Sequence, residues 1–281
     1  MLLKQQYLQF LNKLRTEFSE GEANVMTDRA FEHFTKKTRA DIVRNADQQL
    51  NESTIQQVNS ALEQLLQHKP LQYVIGETWF YKLKFKVNEN VLIPRPETEE
   101  LVDLVIKENS KANPMIIDIG TGSGCIPISI KKTIPDAIVF GIDVSEEALN
   151  VAMDNAKAND AAVHLIQLDI LDEKKRAQLP NLDIIISNPP YIPEEEKNKL
   201  DKNVVDYEPH LALFVPDKDP LLFYKAIAAL GRTHLKSNGR IYLEVHEDLA
   251  HEAKSLFIGS YKTAEVIKDM FGRDRMLVVT A

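Results

Sequence analysis

From Pro94 onward, seven short apolar runs alternate with stretches of helical period. The runs cover residues 115–117, 138–142, 163–168, 182–186, 241–245, 264–267 and 276–279, and helical patterns such as 97–108, 146–159 and 221–235 separate most of them. Continuous Ile, Leu and Val mark strands covered on both faces. Alternation of such strands with helices predicts an α/β fold, a seven-stranded, doubly wound and mostly parallel sheet of Rossmann-like type with right-handed crossovers.

Upstream, the pattern is helical. Leu3, Tyr7, Phe10, Leu11, Leu14 and Phe18 recur every three or four residues, the apolar stripe of one helix. A second, broken helical stretch covers 27–50. A third starts near Ser53 or Thr54, with Thr54 and Gln57 as a capping box; it buries Ile55, Val58, Leu62, Leu65 and Leu66 and stops at Pro70. No side chain in this region suggests chemistry, so a small bundle with a recognition role is expected. Across 78–93 the period becomes two. Trp79, Tyr81, Leu83, Phe85 and Val87 alternate with polar residues, and Asn88-Glu89-Asn90 turns into Val91-Leu92-Ile93, which predicts a β-hairpin linker with Trp79 as a packing anchor. For 281 residues, roughly two domains are expected. The division reads as a helical substrate-recognition domain 1–75, a linker 76–93 and a catalytic domain 94–281.

Composition narrows the setting. Cys125 is the single cysteine, so no internal disulfide forms and a reducing compartment is expected. No apolar run reaches the roughly 18 residues of a membrane span, and the amphipathic start from Met1 to Arg15 is unlike a signal peptide. A cytoplasmic monomer without a membrane partner is expected. Of the 34 Lys+Arg and 42 Asp+Glu, residues 1–90 hold 12 and 11, leaving 22 and 31 for the rest. A net charge of −9 where the motifs lie is opposite to the footprint of a phosphate-backbone binder, so direct nucleic-acid binding is not expected.

Asp118-Ile119-Gly120-Thr121-Gly122-Ser123-Gly124 follows the first run and opens a helix. Glycines allow a sharp turn and close approach to a ligand, and ligands of open α/β sheets sit at the carboxyl ends of the strands. The loop is therefore a nucleotide-type site. Its spacing is G-x-G-x-G, with Cys125 where a dinucleotide fingerprint carries its last glycine. Asp143 ends the second run, 21 residues after Gly122. An acid there can accept the ribose hydroxyls that NAD and S-adenosylmethionine share.

Ser187-Asn188-Pro189-Pro190-Tyr191 follows the run 182–186, at the same carboxyl edge. Two prolines fix two φ angles and remove two donors, so the corner holds acceptors rigidly. Such acceptors suit alkylation of a planar, weakly nucleophilic NH2. The Asn188 oxygen and the Pro189 carbonyl can take both N–H hydrogens and aim the lone pair at a methyl. Tyr191 can stack on the planar group, and an aromatic face attracts a desolvated sulfonium by about 0.5–2 kcal/mol. A near-attack pose can supply roughly 7–11 kcal/mol of the barrier.

Together the glycine loop and this tetrad resemble class I S-adenosylmethionine-dependent methyltransferases acting on planar nitrogen. Residues 70–76 (PLQYVIG), 93–99 (IPRPETE) and 207–213 (YEPHLAL) narrow the resemblance to the peptide chain release factor glutamine methyltransferases (HemK/PrmC). The resemblance covers about three quarters of the chain. It implies methyl transfer from S-adenosyl-L-methionine, leaving S-adenosyl-L-homocysteine, to the glutamine side-chain amide in the Gly-Gly-Gln motif of class 1 release factors, modulating translation termination. It further implies that Gly120, Thr121, Gly122, Ser123 and Gly124 hold the methionine part, Asp143 the ribose, and Asp169 and Ile170 the adenine. Asn188 would touch both cofactor and substrate. Asn188, Pro189, Pro190 and Tyr191 would form the glutamine pocket, with Asn188, Pro189 and Tyr191 carrying catalysis. Arg95 and Glu208 would support or close the site, and the helical bundle would grip the release factor.

The rival activities are methylation of adenine amino groups in DNA or RNA, which shares the tetrad but needs a basic cleft; sensing of the donor without turnover; and NAD-dependent oxidoreduction. His246 and His251 lie five apart, about 140° around a helix, so they cannot share a metal as H-E-x-x-H does; no metal is expected. Cys125 reads as packing, Glu194-Glu195-Glu196 as a solvated helix start, and Gly272-Arg273-Asp274-Arg275 as a turn.

Overall fold

The computed structural model describes residues 1–109 and 111–281. Two compact units divide the chain. Met1–Gly76 joins with Asp201–Tyr207, and Glu77–Leu200 joins with Glu208–Ala281.

In the first unit, α1 (Leu3–Leu14) buries Leu3, Tyr7, Phe10, Leu11 and Leu14, as its spacing predicts. Next, α2 (Glu20–Thr35) starts on a capping box, in which the Ser19 hydroxyl accepts from Glu22 N and the Glu22 carboxylate accepts from Ser19 N. It ends where Lys36 turns left-handed, and α3 (Arg39–Arg44) restarts on a second box of Thr38 and Asp41. The helix α4 (Glu52–Leu66) is capped by Asn51, whose side chain accepts from Thr54 N at 2.7 Å. The expected Thr54–Gln57 box is not used, because Asn is as good a cap and places Thr54 inside the first turn. A short α5 (Leu71–Ile75) completes the bundle. Phe31 fills its centre, edge-on to Tyr7 and Phe10 at 5.2 and 5.5 Å. The helix Lys202–Tyr207 returns to this unit, where the Tyr207 hydroxyl donates to the Gln67 carbonyl at 2.8 Å.

The second unit opens with the hairpin β1 (Glu77–Phe80) and β2 (Leu83–Lys86). Its turn is Tyr81-Lys82, both at positive φ as a two-residue twisted turn requires. The expected single strand across 79–87 is thus two strands, and the turn lies before Asn88. Phe80 pairs with Leu83, so the buried face passes from even to odd numbers at the turn. That moves Trp79 outward: it is half exposed with Lys84 Nζ 5.5 Å from its ring, not a packing anchor.

Then come β3 (Met115–Ile119), β4 (Ile138–Asp143), β5 (His164–Gln167), β6 (Leu182–Ser187), the small parallel pair β7 (Ile192–Pro193) and β8 (Phe214–Val215), and β9 (Leu235–Glu244), β10 (Thr263–Lys268) and β11 (Asp274–Thr280). The central sheet runs β10-β11-β9-β6-β3-β4-β5, parallel except for β11, which is antiparallel to both neighbours. This is the seven-stranded sheet expected. On β3, Ile116 feeds one core and Ile117 the other. The core of Ile117 also holds Ile185, Ile227 and Leu243; that of Ile116 holds Val102, Ile184 and Tyr242. Helices α6 (Pro96–Glu108), α7 (Cys125–Thr133) and α8 (Glu146–Ala158) lie between the strands in sequence. The chain order reverses beside β3, where β4 lies on one side and β6 on the other; a crevice is expected at their carboxyl ends.

Replacing Phe31 with alanine is expected to cost the helical unit about 3–5 kcal/mol, read from urea unfolding. A loss below about 1 kcal/mol would show that the aromatic cluster is not its keystone.

Candidate active site

The end of β3 passes straight into the glycine loop. Gly120 N and Thr121 N both donate to the Ile142 carbonyl at 2.9 Å, folding the loop over the end of β4. At Gly122 φ is +52°, and at Gly124 it is +78°, where a Cβ would press on Ile128 and Ala152. One Asp143 oxygen accepts from Gly122 N at 2.8 Å, and the other from Ser145 N at 3.0 Å. Burial pushes this carboxyl above its ordinary range. The loop is thus held to the end of β4 through its own backbone.

A crevice opens beside the loop with about 1020 Å³ free of protein atoms, open solvent included. Gly120, Gly122, Asp143, Asp169, Ile170, Asn188, Pro189 and Pro190 share its wall. The other expected site residues sit elsewhere. Thr121 and Ser123 are buried with hydroxyls that reach no hydrogen-bond partner among the described residues, and Gly124 caps α7. Tyr191 turns to Glu244, its hydroxyl donating to Oε1 at 3.0 Å, while its ring meets His246 edge-on at 5.9 Å.

Several wall residues were not placed at the site from sequence. Glu89 to Leu92, expected as part of a linker, form one rim, and Pro209, Leu211, Ala212 and Phe223 form another. Glu208 ties the rims together. Its buried carboxylate accepts from Arg95 at 2.5 Å and from Ile93 N at 3.2 Å. Thr98 and Glu244 lie behind the corner. Asn188 Nδ2 donates to Thr98 Oγ1 at 3.1 Å, and Thr98 Oγ1 donates to Glu244 Oε2 at 2.7 Å. An acid inside the otherwise apolar run 241–245 was the signal available for Glu244.

The wall is acidic. Glu89, Asp143 and Asp169 line it, and among the described residues no Lys or Arg does. Such a wall suits a cationic ligand and repels a pyrophosphate. Cys125 is buried against Ile126 and Ile128, and burial pushes its thiol up to about 12, the behaviour of a packing residue. His246 and His251 contact different acids, Glu196 and Asp274. Among the described residues, no helix is long and apolar enough to cross a membrane.

The sheet order, the glycine loop and the Asn188 corner define a class I methyltransferase fold. The profile of the methyltransferase small domain matches residues 98–207, and that of the PrmC N-terminal domain matches residues 5–76. A release factor glutamine methyltransferase of Flavobacterium psychrophilum is 45% identical over 99% of this chain and 99% of its own length. Another, of Bacteroides thetaiotaomicron, is 44% identical over 84% of this chain and 85% of its own. Among solved structures, a methyltransferase from Pyrococcus furiosus aligns with a TM-score of 0.52 at 20% identity, over 70% of this chain and 88% of that one. The chain belongs to the release factor glutamine methyltransferase family, the one its motifs resemble.

Asp118 carries a consequence for stability. It is fully buried, neither oxygen reaches a hydrogen-bond partner among the described residues, and burial pushes its pKa up to about 7, partly offset by the nearby Thr121 hydroxyl. Its folded pKa lies above the unfolded value near 3.8, so its contribution is fully present below about pH 4 and is lost as pH rises towards 7. Relative to the wild type, Asp118→Asn is therefore expected to gain stability across that window, at most about 1.4 kcal/mol per pK unit. A stability difference that does not change between pH 4 and pH 8 would contradict this.

Proposed function

We propose that this chain transfers a methyl group from S-adenosylmethionine to the side-chain amide nitrogen of the glutamine in the Gly-Gly-Gln motif of class 1 peptide chain release factors. The observation that carries the reading is the Asn188-Pro189-Pro190 corner standing on the wall of an acidic, glycine-lined crevice. The names of the full-length relatives support the substrate.

The residues present fit the donor. S-adenosylmethionine would bring a methyl group on a positively charged sulfur, and also an ammonium group and a ribose. Glu89, Asp143 and Asp169 complement that positive charge, and the Gly120–Gly122 backbone leaves room for the methionine part. Asp143 has a lone pair on each oxygen beyond those facing Gly122 N and Ser145 N, enough to accept a ribose hydroxyl. Leu168 and Ile170 offer apolar contact to adenine.

At the other end, Asn188 Oδ1 and the Pro189 carbonyl take the two N–H hydrogens of the glutamine carboxamide. That fixes its plane and aims its nitrogen along the crevice. Neither proline has an N–H, so the corner offers no backbone donor there to compete. No strong base is needed at the start, because the nitrogen becomes acidic once alkylated and releases its proton to water. Tyr191, held by Glu244, packs behind the corner and stiffens it. The helical unit supplies a surface for the release factor, and the Glu208–Arg95 pair holds the crevice rims. Methylation of an adenine amino group shares the corner, but the acidic wall makes a poor host for a phosphate backbone.

Labelled donor incubated with a release factor, a variant of it with that glutamine replaced by alanine, and duplex DNA separates the readings. Label on the intact release factor alone is expected. Label on DNA and none on the release factor would overturn the proposal. In the same assay Asn188→Ala is expected to lose nearly all turnover while donor affinity falls much less, since it removes an acceptor aimed at the substrate. Equal losses would assign Asn188 mainly to the donor.

A further inference from the structure

A primary amide has two ends of nearly the same shape and opposite character, an accepting oxygen and a donating NH2. Only one orientation of Asn188 serves a reaction on a carboxamide nitrogen, since the incoming NH2 needs an acceptor. Neighbouring side chains make the choice. Asn188 Nδ2 donates to Thr98 Oγ1 at 3.1 Å. A hydroxyl has one proton, and Thr98 commits its own to Glu244 Oε2 at 2.7 Å. Towards Asn188, Thr98 can then only accept. The other Glu244 oxygen accepts the Tyr191 hydroxyl at 3.0 Å. While ionised, Glu244 has no donor with which to reverse the chain, and with Thr98 and Glu244 only 3% and 2% exposed, water does not reach them to scramble it.

We propose that Thr98 and Glu244 are positioning residues that set the direction of the Asn188 amide, keeping Nδ2 inward and presenting Oδ1 to the crevice. The inference rests on the reading of Asn188 as the side chain that holds the glutamine. Neither residue lies on the crevice wall. Each acts through Asn188, so kcat rather than donor binding carries its effect.

Thr98→Val keeps the shape and removes the hydroxyl. The amide of Asn188 then loses its bias, and kcat for the release factor is expected to fall at least about tenfold, while donor affinity by calorimetry changes less than about twofold. Thr98→Ser restores the hydroxyl and is expected to recover most of kcat. A Thr98→Val enzyme with wild-type kcat, or a Thr98→Ser enzyme as slow as the valine variant, overturns the assignment. If the valine variant fails to fold, Glu244→Gln carries the test, because glutamine introduces a donor that allows Thr98 to face either way. Lowered kcat with retained donor affinity supports the assignment, and wild-type kcat overturns it. Wild-type enzyme that binds donor and leaves the release factor unlabelled signals failure of the proposed function instead.

Discussion

A carboxylate enclosed by protein on every side must be met by donors or it destabilises the fold by several kcal/mol. Glu244, at the end of β9, is such a group, and the donors are hydroxyls from two other parts of the chain, Thr98 on α6 and Tyr191 beyond the β6 corner. Burial raises its pKa, while those two hydroxyls and the charge of Arg275 work the other way. Satisfying this one side chain draws α6, the corner and β9 together. Asn188 is fastened to the same point through Thr98. The rigidity of the diproline corner therefore has two sources, the fixed φ angles of Pro189 and Pro190 and a hydrogen-bonded anchor behind them.

The two ends of the crevice follow different physics. At the glycine loop the backbone is used up on itself, Gly120 and Thr121 on Ile142 and Gly122 on Asp143. What remains for a ligand is space, carboxylate charge and apolar wall. At the corner the residues present acceptors in fixed places. A cation that carries its own reactive carbon, held beside a carboxamide held by its hydrogens, needs little more than that juxtaposition. The rims are joined by another buried acid, Glu208, with Arg95 and the Ile93 backbone. Glu244 and Glu208 thus both serve to position loops of the site.

The sheet and both motifs were legible in the sequence because each is continuous along it. Apolar runs such as 182–186 report burial on two faces, and the glycine loop and tetrad each occupy fewer than about eight consecutive positions. Contacts between distant positions were not legible. Thr98 and Glu244 are 146 residues apart, and Arg95 and Glu208 are 113 apart; no periodicity joins them. The return of Asp201–Tyr207 to the helical unit was hidden for the same reason. Where local patterns misled, a shift of frame was the cause. The Tyr81-Lys82 turn moves the buried face by one residue, so counting odd positions placed Trp79 on the wrong side. Asn51, three residues ahead of Thr54, took the cap that the Thr54–Gln57 pattern suggested.

The most direct measurement is a crystal structure of this chain with S-adenosylhomocysteine and a release factor. The expected result is a glutamine carboxamide nitrogen within hydrogen-bonding distance of both Asn188 Oδ1 and the Pro189 carbonyl, with the cofactor sulfur on its open side along the glycine-lined wall. A glutamine seated elsewhere, or Asn188 turned out of the crevice with the adenosine bound at another place, would contradict the account.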